Sequence, residues 1–79
     1  MLSDEIRMIR QRMFLTQSEF ANQLKVSYTT VNRWETGKAK PNLNAMKRIK
    51  SFCDLNSIDY SAVEKAWLSY PLYSNQQKN

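Results

Sequence analysis

Two short apolar periods sit almost end to end between Thr16 and Gly37, and that crowding constrains the fold more than any other feature of the chain. Thr16-Gln17-Ser18-Glu19 has the form of a capping box, in which the threonine hydroxyl accepts from the Glu19 N–H and the Glu19 carboxylate reaches back. The helix it opens would bury Phe20, Ala21 and Leu24 over only about two turns. A helix that short does not survive alone, so neighbours must hold it. A break at Lys25-Val26 follows, and Ser27 is placed to cap a second helix over 28–35. Thr36-Gly37 ends that helix, glycine being suited to left-handed backbone. Ala21 is small enough to let the two helices approach, and Val31 packs in the same angle.

The second helix has two unlike faces. Val31 and Trp34 point one way; Tyr28, Thr29, Asn32 and Arg33 point the other. A helix that needed only solubility would more usually carry Glu and Lys on its outer face. This one offers hydrogen-bonding groups, a guanidinium and a tyrosine.

Three further helices flank the pair. Residues 3–14 place Ile6, Ile9 and Met13 at helical spacing with Arg7, Gln11 and Arg12 facing away, Ser3 as N-cap, and Asp4 and Glu5 at the positive end of the dipole. After the basic turn Lys38-Ala39-Lys40-Pro41, Asn42 would cap a helix over 43–53 with Leu43, Met46, Ile49 and Phe52 or Cys53 inward. A fifth helix runs from about Ser57 or Asp59 to Leu68, with Ile58, Ala62, Val63, Ala66 and Trp67 as its apolar side, and Pro71 bars its continuation. The expected fold is all-α with five helices: one domain over residues 1–70 and a polar tail over 71–79. One glycine and two prolines in 79 residues agree with that and oppose a turn-rich β fold.

The formal charge of +5 is concentrated in one stretch. Residues 25–50 set Lys25, Arg33, Lys38, Lys40, Lys47, Arg48 and Lys50 against Glu35 alone, a net +6, while residues 1–24 cancel and residues 51–79 come to −1. Such a surplus suits a polyanion, although a lysine excess is often only a solvated face. The group Lys47, Arg48 and Lys50 is divided between those readings: solubility, or contact with a nucleic-acid backbone. With Cys53 as the single cysteine and no histidine, an intramolecular disulfide and a Cys/His metal cluster are both ruled out. Cys53 reads as a small buried apolar group. No paired carboxylates form an acid/base site and no glycine-rich phosphate loop exists, so neither an enzyme nor a small-molecule cofactor is expected. The chain has no long apolar run, and its start mixes both charge signs, which points to a cytoplasmic protein with no membrane partner.

The stretch TQSEFANQLKVSYTTVNRWETGKAKP closely resembles the helix-turn-helix core of the Cro/phage-repressor (Xre-type) family. The resemblance covers roughly residues 6–53. It is carried by Thr16-Gln17, Ala21, Val31, Trp34-Glu35-Thr36-Gly37 and the basic turn ending at Pro41. It implies a five-helix, lambda-repressor-like domain that binds double-stranded DNA as a homodimer, with the motif over about 16–36. The outer set Tyr28, Thr29, Asn32 and Arg33 would then meet base edges. Arg33 could donate twice to guanine and Asn32 pair with adenine, each good bidentate contact discriminating by about 1–3 kcal/mol. Gln17 resembles the family's phosphate-contacting glutamine, and Ser27, Thr30, Thr36, Lys38 and Lys40 are candidates for the same role. Arg10 and Glu35 resemble an architectural ion pair of the family.

Two positions depart from the family pattern. Lys25 stands where glycine is common, and Phe14 where glycine or asparagine is; Phe14 would cover a core edge or an interface. Trp34 reads as core. Trp67, Tyr70, Leu72 and Tyr73 are a candidate dimer interface, the alternative being that they fold back over their own core. The leading expectation is a repressor-like transcriptional regulator acting by operator occupancy. The rival is a protein-interaction module, such as an antitoxin or controller component, whose main partner is another protein.

Overall fold

The computed structural model describes residues 1–70, which form α1 (Leu2–Arg12), α2 (Gln17–Leu24), α3 (Tyr28–Glu35), α4 (Leu43–Leu55) and α5 (Ser61–Ser69), with no strand among them. No helix among these residues is long and apolar enough to cross a membrane.

α1 starts earlier than Ser3 would have it. Met1 is the N-cap, with no side-chain hydrogen bond, and Leu2 enters the core beside Ile6 and Ile9. Met13 is exposed instead of inward, because the helix has ended there: Met13 is the C-cap, and Phe14 turns left-handed at φ 56°. Phe14 covers no core edge, being 94% exposed.

α2 is set by the capping box the sequence announces. The Glu19 N–H donates to Thr16 Oγ1 at 3.1 Å, and the Thr16 N–H donates to Glu19 Oε1 at 2.8 Å. It ends at Lys25, left-handed at φ 60°. Ser27 Oγ accepts from the Thr30 N–H at 3.1 Å and starts α3. Ala21 and Val31 are both buried, and the Val26 N–H returns to the Ala21 carbonyl at 3.0 Å, closing the corner.

α4 is capped by Asn42 Oδ1, which accepts from the Ala45 N–H at 2.8 Å. Its inner face is Ala45, Met46, Ile49, Phe52 and Cys53. Leu43, expected inward, is 61% exposed. Six positions before Ile49, it stands about 120° round the helix from the centre of the buried stripe. Phe20 and Phe52 meet edge to face with centroids 5.2 Å apart, tying α2 to α4; such pairs add about 0.5–1.5 kcal/mol beyond burial.

α5 begins at Ser61, later than expected. Ser57 takes a left-handed conformation, and the Asp59 carboxylate accepts from the Ser61 N–H at 3.0 Å and from its hydroxyl. Those bonds hold the Asp59 carboxyl below its ordinary pKa. Val63 is the fully buried residue of α5; Ile58, Ala66 and Trp67 pack half-buried on the core, and Ala62 is exposed. Cys53 is a buried free thiol, pushed up to about 11 by burial and by the nearby carboxylates.

Candidate nucleic-acid interface

α3 separates its residues as its sequence suggests. Val31, Trp34 and Glu35 are buried, while Tyr28, Thr29 and Arg33 are exposed and Asn32 is half-exposed. The four candidate base-contacting residues therefore share one open face. Beside it the backbone turns tightly: the Lys38 and Ala39 N–H groups both donate to the Arg33 carbonyl, at 2.8 and 3.2 Å, and a terminal nitrogen of Arg33 lies 3.5 Å from the Lys38 carbonyl.

The end of α3 is anchored to α1 through a buried charge. Glu35 is 4% exposed. Arg10 donates to it twice, from Nε at 2.8 Å and from a terminal nitrogen at 2.9 Å, in a bidentate pair that raises the Arg10 pKa further. Arg10 also donates to the Leu15 carbonyl at 2.9 Å, and Arg7 to the Glu35 carbonyl at 3.1 Å. The pairing of Arg10 with Glu35 thus joins the first helix, the turn after it and α3. Gln17 belongs to the same cluster: its amide donates to Glu35 Oε1 at 2.9 Å. A primary amide has two N–H donors, so one remains for a phosphate.

The other candidate phosphate contacts are unequally free. Ser27 and Thr30 hydroxyls lie 2.9 Å apart and share a hydrogen bond. The Thr36 hydroxyl donates to the Asn32 carbonyl at 2.8 Å, so it meets a phosphate only by rotating away. Lys38 is exposed. Lys40 is held: its ammonium lies 4.5 Å from the Trp67 ring centroid and 5.4 Å from that of Tyr70. The Trp67 indole N–H donates to the Pro41 carbonyl at 2.7 Å. Two of the four aromatic and aliphatic residues expected at a dimer contact therefore pack on the chain's own basic turn; Leu72 and Tyr73 lie outside the described residues.

A groove of about 380 Å³ runs beside α3, lined by Thr30, Lys40, Asn42, Asn44 and Arg48 among others. Asn44 was not among the candidates that sequence reasoning singled out. A signal for it existed, since an exposed asparagine in the first turn of a helix, two residues after the N-cap Asn42, is placed to face a phosphate. Arg48, by contrast, is neither a plain solvated cation nor free: it reaches across to α2, donating to the Leu24 and Lys25 carbonyls at 3.2 and 3.0 Å.

Residues 6–60, most of the five-helix unit, match the family model described as helix-turn-helix. The chain belongs to the Xre-type helix-turn-helix family. Its fold is the lambda-repressor-like one of that family, and it is a DNA-binding domain of the transcription-regulator kind. It is 38% identical over 50 residues to the HTH-type transcriptional activator BcrR of Enterococcus faecalis; that match covers 63% of this chain and 24% of the relative. The chain thus spans about a quarter of that curated relative. No solved structure matches it.

Proposed function

We propose that the protein is a sequence-specific transcription regulator that lays α3 in the major groove and binds as a homodimer to a roughly palindromic operator, with half-sites about one helical turn, ~34 Å, apart. The observation that carries this reading is the open polar face of α3 against its buried inner face. Arg33 would pair with a guanine and Asn32 with an adenine, and Tyr28 and Thr29 would touch thymine methyls or phosphates. Gln17, Ser27, Thr30, Thr36, Lys38 and Lys40 would position the domain on the sugar-phosphate chain without reading sequence. The dimer contact would use Trp67, Tyr70, Leu72 and Tyr73; Trp67 and Tyr70 are half-buried near Leu68, which is 65% exposed. Regulation follows from occupancy. An operator overlapping a promoter would give repression; one beside the polymerase site would give activation, the mode in BcrR's name.

Selection from random duplex DNA at two salt concentrations tests this. The expected result is a palindrome whose half-site spacing matches the dimer, with affinity falling steeply as salt rises. Weak, sequence-blind binding at both concentrations would overturn the reading and shift attention to a protein partner.

A further inference from the structure

The turn between α2 and α3 holds an unusual strain and an unusual support. Lys25 sits at φ 60°, where an L side chain crowds the backbone. The local chain satisfies part of this corner: the Lys25 N–H donates to the Asn22 carbonyl at 3.2 Å and the Val26 N–H to the Ala21 carbonyl at 3.0 Å. The Leu24 and Lys25 carbonyls point beyond the end of α2 and receive no backbone N–H among the described residues. α2 has no basic residue in its last turn to answer the negative end of its dipole. One terminal nitrogen of Arg48, from the middle of α4, donates to both carbonyls.

We propose that Arg48 is a positioning residue for DNA reading: a cation supplied from α4 that clamps the end of α2, holds Lys25 in its left-handed conformation and so fixes the angle at which α3 leaves the turn. It acts through the turn and not by touching DNA. This rests on the reading of α3 as the base-contacting helix. Because α3 starts only a few residues after the clamped carbonyls, a small change at Lys25 is carried along the whole helix, and base contacts tolerate misplacement far less than phosphate contacts do. Loss of the clamp therefore falls on specific binding.

The experiment measures affinity for a duplex recovered by selection and for a duplex of unselected sequence, across a salt series. The proteins are wild type, Arg48→Ala, Lys25→Gly and the double variant, each also unfolded thermally. Arg48→Ala is expected to weaken binding to the selected duplex by roughly tenfold or more, with binding to the unselected duplex and the salt slope unchanged. Lys25→Gly, which lets the turn adopt its conformation unaided, is expected to restore most of that loss in the Arg48→Ala background while changing wild type little. A salt slope lower by about one, with equal loss on both duplexes, would show Arg48 to be a phosphate contact and overturn the proposal. So would a loss that Lys25→Gly fails to rescue, or no loss at all. If wild type itself fails to distinguish the two duplexes, the base-reading role of α3 falls and the proposal falls with it; if wild type discriminates and Arg48→Ala does so equally, the proposal alone falls.

Discussion

The turn entering α3 and the turn leaving it both use left-handed backbone, Lys25 at φ 60° and Gly37 at φ 77°, but they are secured in different ways. At Gly37 no neighbour crowds the position a Cβ would occupy, and the residue type alone makes the conformation easy. At Lys25 the residue type opposes the conformation, and a guanidinium from another helix holds the carbonyls of the two peptides that flank its Cα. The exit has its own distant supports: Glu35 bound by Arg10, and Pro41 bound by Trp67. The lesson is that a helix as short as α3 owes its position to contacts that arrive from far along the chain, while its ends are drawn by local residues.

The largest effect is expected from cutting the exit loose. Arg10→Met leaves the Glu35 carboxylate buried with only Gln17 and Arg7 nearby, and should cost about 3 kcal/mol, the low end for breaking a buried pair. Chemical denaturation measures it; a loss under about 1 kcal/mol would show that the remaining partners suffice. Trp67→Phe comes next. It keeps a ring beside Lys40 but leaves the Pro41 carbonyl without its donor, for an expected loss of about 1–2 kcal/mol in the same assay. An unchanged midpoint would mean that the indole N–H is dispensable and that packing alone docks α5.

The smallest pair sharpens the comparison itself, because the two turns should respond with opposite signs. Gly37→Ala should destabilise by about 1 kcal/mol, a backbone cost alone, since nothing lies within 4 Å of the added methyl. Lys25→Gly should stabilise by about 0.5–1 kcal/mol if the backbone strain at Lys25 exceeds the entropy that glycine adds to the unfolded chain. Thermal unfolding of the two variants side by side decides it. Equal signs would mean that the two left-handed positions are not the contrasting devices described.

Much of this was legible in the residues, and what was not shares a cause. The capping box at Thr16, the caps Ser27 and Asn42, and the left-handed Gly37 depend on groups within three residues of one another, so spacing alone identifies them. The ion pair of Arg10 with Glu35 came from likeness to a family; no local pattern would have joined residues 25 apart. Errors came where a helix ended or rotated by a fraction of a turn. Met13 and Leu43 satisfy apolar spacing on paper, but one lies past the end of its helix and the other about 120° from the buried stripe. α5 starts late because Ser57 turns left-handed and Asp59 accepts from the Ser61 N–H in an Asx turn ahead of the helix, a competition that propensity does not resolve. Arg48 looked like any cation on an outer face. Only tertiary structure brings it to the carbonyls of Leu24 and Lys25, and the interplay of Lys40 with Trp67 and Tyr70 is hidden for the same reason.

The central claim is that the open face of α3 reads base sequence. Its most direct test is a titration of wild type and Arg33→Ala against the selected duplex and a set of duplexes each altered at one base pair. Arg33 is exposed, with one long contact to the Lys38 carbonyl, so its loss should leave the fold intact. Arg33→Ala is expected to lose about 1–3 kcal/mol of discrimination at one guanine position while keeping its discrimination elsewhere. Full discrimination at every position by Arg33→Ala would contradict it.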